Sequence, residues 1–273
     1  MPYSNSENAP KLSELFSLNN KTALIIGGAG LLGGEMAYAL AELGARVIVA
    51  SRDKAKCDAF VSTLNAHYSR AHIALSLDIT QKLSLEICFQ AVREIVPEGL
   101  DILINSGWSG RKNTFESITD ENWNDDIEVC LNGVFRSIKT FVPLLILRKG
   151  NIVNIASMYG HVAPDYRLYD SEQFSNPPSY GAAKAGIIQL TKYLASFLSV
   201  HPIRVNCVSP GPFPYESTQK ENPAFIRRLS EKNPLNRIGK PYELKGVVAL
   251  LCSEAGAYIT GQNICVDGGW GIW

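Results

Sequence analysis

Residues 24–34 read L-I-I-G-G-A-G-L-L-G-G and join a short apolar run to a helical pattern over residues 35–43. Starting at Gly28 the spacing is G-x-G-x-x-G, and starting at Gly27 it is G-x-x-G-x-x-G. Glycines at these positions let the backbone turn tightly and approach a pyrophosphate, whose charge is favoured at a helix N-terminus. Because the motif follows a predicted strand and opens a predicted helix, it indicates dinucleotide binding, although a merely tight βα turn has the same spacing.

Beyond this turn, short strand-like runs alternate with helical patterns along the rest of the chain. Continuous apolar strands separated by amphipathic helices indicate a parallel sheet that is covered on both faces. The sequence therefore predicts an α/β fold, a single doubly wound Rossmann domain with a seven-stranded parallel sheet flanked by helices. The predicted strands are residues 23–26, 47–50, 73–77, 101–104, 151–156, 204–208 and 263–266.

The chain is predicted to form one dinucleotide-binding catalytic domain over residues 21–273, after a flexible arm over residues 1–20. Residues 160–178 are irregular and rich in proline and tyrosine. Such a long loop in a compact domain is more often functional than not. We expect it to be an inserted loop near the active site.

The bulk composition limits the classes of partner. The 273 residues are 46% hydrophobic and carry 26 basic and 26 acidic side chains, which describes a globular domain of net charge zero. That balance gives no electrostatic reason to bind nucleic acid or an anionic membrane. Apolar runs such as residues 141–147 are too short to span a bilayer. We expect a small-molecule substrate instead.

The cysteines fall singly, with no C-x-x-C pair and no histidine at ligand spacing, so no metal site is predicted. They are typical of reduced, mostly buried thiols, and the first residues lack the pattern of a secretory signal. The predicted location is cytoplasmic. The cysteines are Cys57, Cys88, Cys130, Cys207, Cys252 and Cys265.

Tyr180 and Lys184 stand four positions apart in Y-G-A-A-K. If residues 179–197 form a helix, the phenol and the ammonium share one face and can meet. An unperturbed tyrosine titrates near ~10. A neighbouring cation should lower that pKa toward the range in which a general acid or base works. Alone, a tyrosine and a lysine at this spacing are more typical of a surface contact. The pair becomes informative only together with the other motifs of the chain.

The end of the second strand bears on the choice of cofactor. It reads Val-Ala-Ser-Arg over residues 49–52, without the carboxylate that commonly holds the ribose 2′-hydroxyl of NAD. Arg52 could meet a 2′-phosphate instead, with Ser51 as a donor, so NADP(H) is favoured over NAD(H). Two alternatives remain, in which Asp53 turns toward the ribose or Arg52 is a solvated surface residue.

Three more motifs follow later strands: Asn-Ser-Gly at 105–107, Ser157, and Ser-Pro-Gly at 209–211. With the glycine turn and the Tyr-x-x-x-Lys pair, they make the chain resemble the short-chain dehydrogenase/reductase family from Leu18 to the Val-Asp-Gly-Gly stretch at 266–269. The resemblance implies hydride transfer between a nicotinamide and a carbonyl or alcohol.

The resemblance also implies roles. Tyr180 exchanges a proton with the substrate oxygen, Ser157 holds that oxygen, and Lys184 lowers the tyrosine pKa and binds the nicotinamide ribose. Asp78 resembles the residue that meets the adenine, with an N-cap for a helix beginning near Thr80 as an even alternative. The implied cofactor-binding residues are Gly27, Gly28, Gly30, Leu32, Gly33, Ser51, Arg52, Asp78, Ile79, Asn105, Ser106, Gly107, Tyr180, Lys184, Pro210 and Gly211.

The chain departs from the family pattern at two single positions. The threonine that usually precedes the first glycine is replaced by Ile26 or Gly27, depending on the alignment, so a hydrogen bond that stiffens the turn is in question. Cys130 takes the place of an asparagine that helps hold a water connecting the lysine to solvent, and a thiol is a weaker partner. Asn132 would need a bulge or register shift to replace it.

The third departure is an insertion, since Ser157 and Tyr180 are 23 positions apart, wider than is usual in the family. Its phenols and charges suit a polyol or sugar-like ligand, with Arg167 gripping a carboxylate or phosphate and Tyr169 bonding hydroxyls. We expect residues 165–172 to form a substrate lid, although a solvated surface loop would carry similar residues.

The predicted function is an NAD(P)-dependent oxidoreductase that interconverts a secondary alcohol and a ketone, with a sugar, sugar acid or other polyhydroxy substrate. Weaker similarities to branches that include gluconate 5-dehydrogenase and enzymes of flagellin and surface-sugar modification favour that substrate class. Alternatives are a 3-oxoacyl thioester reductase and an inactive dinucleotide-binding sensor or scaffold. A homotetramer or homodimer is expected through helices 122–147 and 179–199 and an apolar tail of Trp270, Ile272 and Trp273.

Overall fold

The computed structural model describes residues 9–108, 110, 112–169 and 176–272. In that part of the chain the strands form a seven-stranded sheet of order β3-β2-β1-β4-β5-β6-β7, and all neighbouring pairs are parallel. This confirms the predicted doubly wound α/β fold. The strands are β1 Thr22–Ile26, β2 Arg46–Ser51, β3 Ile73–Ser76, β4 Ile102–Asn105, β5 Asn151–Ile155, β6 Arg204–Pro210 and β7 Asn263–Val266.

Helices pack on both faces of the sheet because successive strand residues point to opposite sides. In β1, Leu24 and Ile26 join one buried apolar cluster, while Ala23 and Ile25 join another. The helices of the described residues are α1 Leu12–Phe16, α2 Leu31–Glu42, α3 Lys54–His67, α4 Lys82–Ile95, α5 Asp120–Ile127, α6 Gly133–Arg148, α7 Pro178–Phe197, α8 Glu216–Glu221, α9 Pro223–Lys232 and α10 Lys245–Cys252.

A π-helical turn at Glu128–Asn132 joins α5 to α6, so that residues 120–148 form one long helix. Within the described residues, this helix is long and apolar enough to cross a membrane by length and composition, although apolar runs such as residues 141–147 are too short by themselves. The core helix of a globular protein meets the same criteria. Here 44% of its most apolar window is buried, and Phe141 and Leu145 lie fully inside the apolar cluster beside β4.

At both ends of the described chain, residues pack against the rest of the domain. Residues 1–8 and Trp273 lie outside the described residues, but the domain already begins at Leu18, which is 1% exposed and donates its N–H to the Leu43 carbonyl at 2.8 Å. At the other end Trp270 packs inside its own chain, beside Tyr159 and Phe225, whereas Ile272 is exposed.

The strand order reverses between β1 and β4, since the chain runs outward to β3 on one side and to β7 on the other. In an open parallel sheet, the loops at the carboxyl ends of such strands separate and leave a crevice. That crevice holds most of the residues that the sequence singled out.

Candidate active site

A cavity of about 820 Å³ opens at the carboxyl ends of the strands. The predicted residues that line it come from eight separate segments of the chain, which the fold brings to one edge of the sheet. They are Gly27, Gly30, Leu32, Gly33, Ser51, Arg52, Asp78, Ile79, Ser106, Gly107, Ser157, Tyr169, Tyr180, Lys184, Pro210 and Gly211.

Asn105 was predicted to bind the cofactor, but it does not line the cavity. Its side chain lies behind the cavity wall. Its side chain accepts a hydrogen bond from Ser137 Oγ at 2.7 Å and donates one to Asn154 Oδ1 at 2.9 Å. Asn154 in turn donates to Thr191 Oγ1 at 3.0 Å. The fully satisfied buried network ties α6, β4, β5 and α7 together, and so positions the elements that carry the site.

The glycine turn is held by its own backbone and not by a threonine side chain. Gly27 N–H donates to the Ala50 carbonyl at 2.8 Å, and Gly30 N–H donates to Gly27 at 3.0 Å. Gly27 has φ +79°, and an added Cβ would lie 2.8 Å from the Ser106 backbone. At Gly33, a Cβ would lie 2.2 Å from the Gly27 carbonyl oxygen. These contacts bring the start of α2 against the turn. The first N–H groups of the helix then face the cavity, an arrangement that fits a pyrophosphate. Gly28 itself is not among the lining residues.

The end of β2 presents two cations to the cavity. Arg52 is exposed and lines it, as predicted, and Lys56 in the first turn of α3 lines it as well. Asp53 is the N-cap of α3, and its carboxylate accepts from Lys56 N–H at 2.9 Å. Ser51 Oγ donates to the Asp53 carbonyl at 3.2 Å. Lys56 was missed by sequence reasoning, although a cation at the start of the helix that follows Arg52 was a usable signal.

Asp78 holds the turn that precedes α4. Its Oδ1 accepts from Thr80 N–H at 3.0 Å and from Thr80 Oγ1 at 2.7 Å. The N-cap of α4 is Gln81, so the alternative of Asp78 as that cap is wrong. Asp78 and Ile79 both line the cavity, where the carboxylate keeps lone pairs for a further donor.

Ser157, Tyr180 and Lys184 lie together at the centre of the cavity. Tyr180 is in the first turn of α7, which begins at Pro178 and is linked to α5 by a 2.5 Å hydrogen bond from Ser179 Oγ to buried Asp126. Lys184 is 4% exposed, and its Nζ donates to the Ile155 carbonyl at 2.7 Å. The same Nζ lies 5.7 Å from the centre of the Tyr180 ring.

The pKa of Tyr180 differs from the prediction that a neighbouring cation would lower it. Desolvation by burial raises it to about 12, and a hydrogen bond with Ser157 opposes that rise. Desolvation also lowers the pKa of Lys184. The ammonium sits over the ring and is bonded to a carbonyl, so in the protein alone its charge does not overcome the cost of burying a phenolate. The phenol is therefore protonated at neutral pH.

Cys130 is 1% exposed and lies in the π-helical turn. Desolvation is the main cause of the raised pKa of Tyr180, and the electrostatic effect of Cys130 adds to it. The Cys130 thiol therefore lies near Tyr180. The π-helix supplies the register shift that Asn132 would need, but Asn132 Nδ2 donates to Glu128 Oε2 at 2.8 Å. Asn132 therefore does not take over the position of Cys130.

Sequence reasoning missed another cation that lines the cavity, Lys112. Lys112 Nζ donates to Asn176 Oδ1 at 2.7 Å and lies 5.9 Å from the centre of the Trp108 ring. Trp108 meets the Tyr180 ring edge to face, with centres 6.1 Å apart. Lys112 is exposed, and partial desolvation by its surroundings lowers the pKa of its ammonium. All four residues line the cavity, which puts the ammonium one aromatic ring away from Tyr180.

The insertion divides into parts with different surroundings. Tyr169 lines the cavity and its hydroxyl lies 2.6 Å from that of Tyr159. Arg167 does not line it: its Nε and Nη2 each donate to the Asp165 carboxylate at 2.8 Å, and the side chain is 85% exposed. The residue predicted to grip a substrate anion is therefore paired with Asp165 outside the cavity in this structure. Asp170 and Glu172 of the predicted lid lie outside the described residues.

Comparisons with known proteins agree with this arrangement. A family model described as enoyl-(acyl carrier protein) reductase matches residues 29–271. A rhamnolipids biosynthesis 3-oxoacyl-(acyl-carrier-protein) reductase from Pseudomonas aeruginosa is 30% identical over 262 residues, which cover 93% of this chain and 98% of the relative.

Two solved structures are also similar. A gluconate 5-dehydrogenase from Burkholderia cenocepacia in complex with NADP and tartrate has 25% identity and a TM-score of 0.85, covering 95% of this chain and 98% of that one. A short chain dehydrogenase from Leptospira borgpetersenii with bound NAD+ has 33% identity and a TM-score of 0.82, covering 99% of both chains.

The fold and the cavity define a nucleotide-dependent oxidoreductase, as the sequence predicted. The chain belongs to the short-chain dehydrogenase/reductase family.

Proposed function

We propose that the chain is an NADP(H)-dependent reductase of a keto group on a polyhydroxy acid, a compound of the sugar-acid class. The observation that carries this proposal is the distribution of positive charge in the cavity. Arg52 and Lys56 line it beside the end of β2, and Lys112 lines it near Trp108, which contacts Tyr180. A cofactor with a 2′-phosphate and a substrate with a carboxylate would each meet a separate cation.

In the proposed reaction Tyr180 donates its proton to the carbonyl oxygen while Ser157 donates a hydrogen bond to the same atom. A bound nicotinamide supplies the hydride that reaches the carbonyl carbon, so a ketone becomes a secondary alcohol. Burial raises the pKa of Tyr180 to about 12, which keeps the phenol protonated and favours proton donation at neutral pH. The buried ammonium of Lys184, anchored on Ile155, fixes positive charge beside the phenolate that remains.

For the cofactor, we expect Arg52→Ala combined with Lys56→Ala to raise the Kd of NADPH about 10–100-fold, since hydrogen bonds to charged groups contribute about 1.5–3 kcal/mol. The Kd of NADH should change by less than about threefold, because NADH lacks the 2′-phosphate. Fluorescence titration with both nucleotides measures this. The proposal fails if the unmodified protein binds NADH more tightly than NADPH.

Ser51→Asp added to Arg52→Ala should move the cofactor preference further toward NADH, because the new carboxylate repels the 2′-phosphate of NADPH.

For the substrate, we expect Lys112→Gln to raise KM for a keto sugar acid about 10–100-fold, because it removes a charged hydrogen-bond donor beside Tyr180. A matched ketose without a carboxylate should keep its KM. The control is Arg167→Gln, which removes a cation outside the cavity and should alter neither substrate. Equal losses on both substrates after Lys112→Gln would show that Lys112 does not bind the anion.

A 3-oxoacyl thioester reductase is the second candidate, favoured by the named activity of the Pseudomonas aeruginosa relative. The net charge of zero gives no support for docking an acidic carrier protein. Steady-state assays with NADPH separate the two, because a thioester ketone reduced with higher kcat/KM than any keto sugar acid would favour this candidate.

Self-association into a homotetramer or homodimer, and a cytoplasmic location, remain predictions. In support of an interface, α6 and α7 expose large apolar side chains on the predicted faces. Phe135 is 47% exposed, and Tyr193 and Phe197 stack with ring centres 5.9 Å apart while each is more than half exposed. A patch of this kind is typical of a protein–protein contact.

A further inference from the structure

A cluster of three potential metal ligands lies outside the cavity. His161, Cys265 and Asp267 each offer a donor atom, and these atoms all lie within 4.8 Å of one another. His161 Nε2 is 3.5 Å from Cys265 Sγ. None of these three residues lines the cavity, so the proposed reaction leaves them without a role.

The tertiary fold assembles the cluster from positions that carry no metal motif in sequence. His161 follows the short helical turn after Ser157 and donates its backbone N–H to the Met158 carbonyl at 3.0 Å. Cys265 lies on the edge strand β7, and Asp267 follows that strand directly. The histidine and the cysteine are 104 positions apart, so the absence of ligand spacing in the sequence did not exclude this site.

The separation of Cys265 Sγ and His161 Nε2 suits a zinc ion. Zinc bonds of ~2.3 Å to sulfur and ~2.0–2.1 Å to nitrogen, at a tetrahedral angle, put the two ligand atoms about 3.5 Å apart. The separation found here is 3.5 Å. A set of one thiolate, one imidazole and one carboxylate selects zinc over magnesium or calcium, which prefer oxygen ligands. Three protein ligands leave a fourth position for water.

The carboxylate is oriented before any ion arrives. Asp267 is 8% exposed, and its two oxygens accept from Gly269 N–H at 2.9 Å and Gly271 N–H at 3.0 Å. Each oxygen keeps a second lone pair, and such hydrogen bonds typically orient carboxylate ligands in metal sites. Cys265 and His161 are both exposed, which provides an entry path.

We propose that His161, Cys265 and Asp267 form a zinc-binding site. The ion links β7 and the C-terminal segment to the turn that follows Ser157. Trp270 from that segment packs against Met158 and Tyr159, and Tyr159 lines the cavity. Zinc thus stabilises one wall of the cavity from outside. This inference is independent of the substrate and the cofactor.

The test uses the full chain, stripped of metal with a chelator and then titrated with zinc chloride by calorimetry. We expect one ion per chain with a Kd in the micromolar range or tighter. Zinc at a hundredfold excess over Kd should raise Tm by about 5 °C. Cobalt(II) should give a thiolate charge-transfer absorption band. Magnesium should produce neither effect.

Cys265→Ser and His161→Ala should each weaken zinc binding at least about tenfold, and Cys265→Ser should abolish the cobalt–thiolate band. Both side chains are exposed, so neither change should unfold the protein. His67→Ala, which removes an exposed histidine on α3, is the matched control and should leave zinc binding unchanged. The proposal is overturned if the unmodified chain binds no stoichiometric zinc, or if Cys265→Ser binds it equally well.

Discussion

Tyr180→Phe is expected to lower kcat/KM for carbonyl reduction by about 10²-fold or more while leaving the Kd of NADPH nearly unchanged. The change removes one hydroxyl and keeps the ring that Trp108 and Lys184 contact. The loss then reports the missing proton donor and not a rearranged cavity. Stopped-flow measurement of NADPH oxidation, with cofactor binding measured separately by fluorescence, distinguishes the two parameters.

Tyr169→Phe is the matched control, because this phenol also lines the cavity but its hydroxyl is paired with that of Tyr159 at 2.6 Å. We expect it to keep kcat/KM within about tenfold, since it leaves the proton donor in place. If Tyr180→Phe retains more than about a tenth of the original kcat/KM, another group donates the proton. Should the unmodified protein bind NADPH yet reduce no ketone tested, the inactive sensor or scaffold becomes the better reading.

Gly33→Ala is expected to destabilise the protein by about 1–3 kcal/mol and to lower Tm by about 2–12 °C, with weakened binding of NADPH. The added Cβ would lie 2.2 Å from the Gly27 carbonyl oxygen and 2.9 Å from its carbon, both backbone atoms that no rotamer change can move. The start of α2 must then move away from the turn. Thermal and urea unfolding with and without NADPH measure the two effects.

Gly246→Ala provides the comparison, because a Cβ at that position in α10 meets no atom within 4 Å. Alanine is favoured over glycine in a helix by about 0.8–1.0 kcal/mol, so this variant should be as stable as the original or more so. Equal stability of the two variants would contradict the packing of the glycine turn described above.

Local rules were sufficient for the fold and for the centre of the site. The glycine turn, the alternation of strands and helices, and the spacing of Tyr180 and Lys184 each depend on a few neighbouring residues. Parallel strands have their carboxyl ends at one edge, and for that reason residues that follow different strands, such as Ser157 and Gly211, line one cavity.

Features that depend on contacts between distant segments could not be read in the same way. Lys112 and Asn176 are 64 positions apart, and only the folded chain brings them within hydrogen-bond distance. Arg167 has the chemistry of an anion ligand, yet its neighbour Asp165 binds it outside the cavity. The direction of the Tyr180 pKa is a balance between burial and nearby charge, and burial is a property of the packed chain alone. Sequence spacing describes neighbours along the backbone, whereas desolvation, ion pairing and metal geometry depend on which segments the folded sheet brings together.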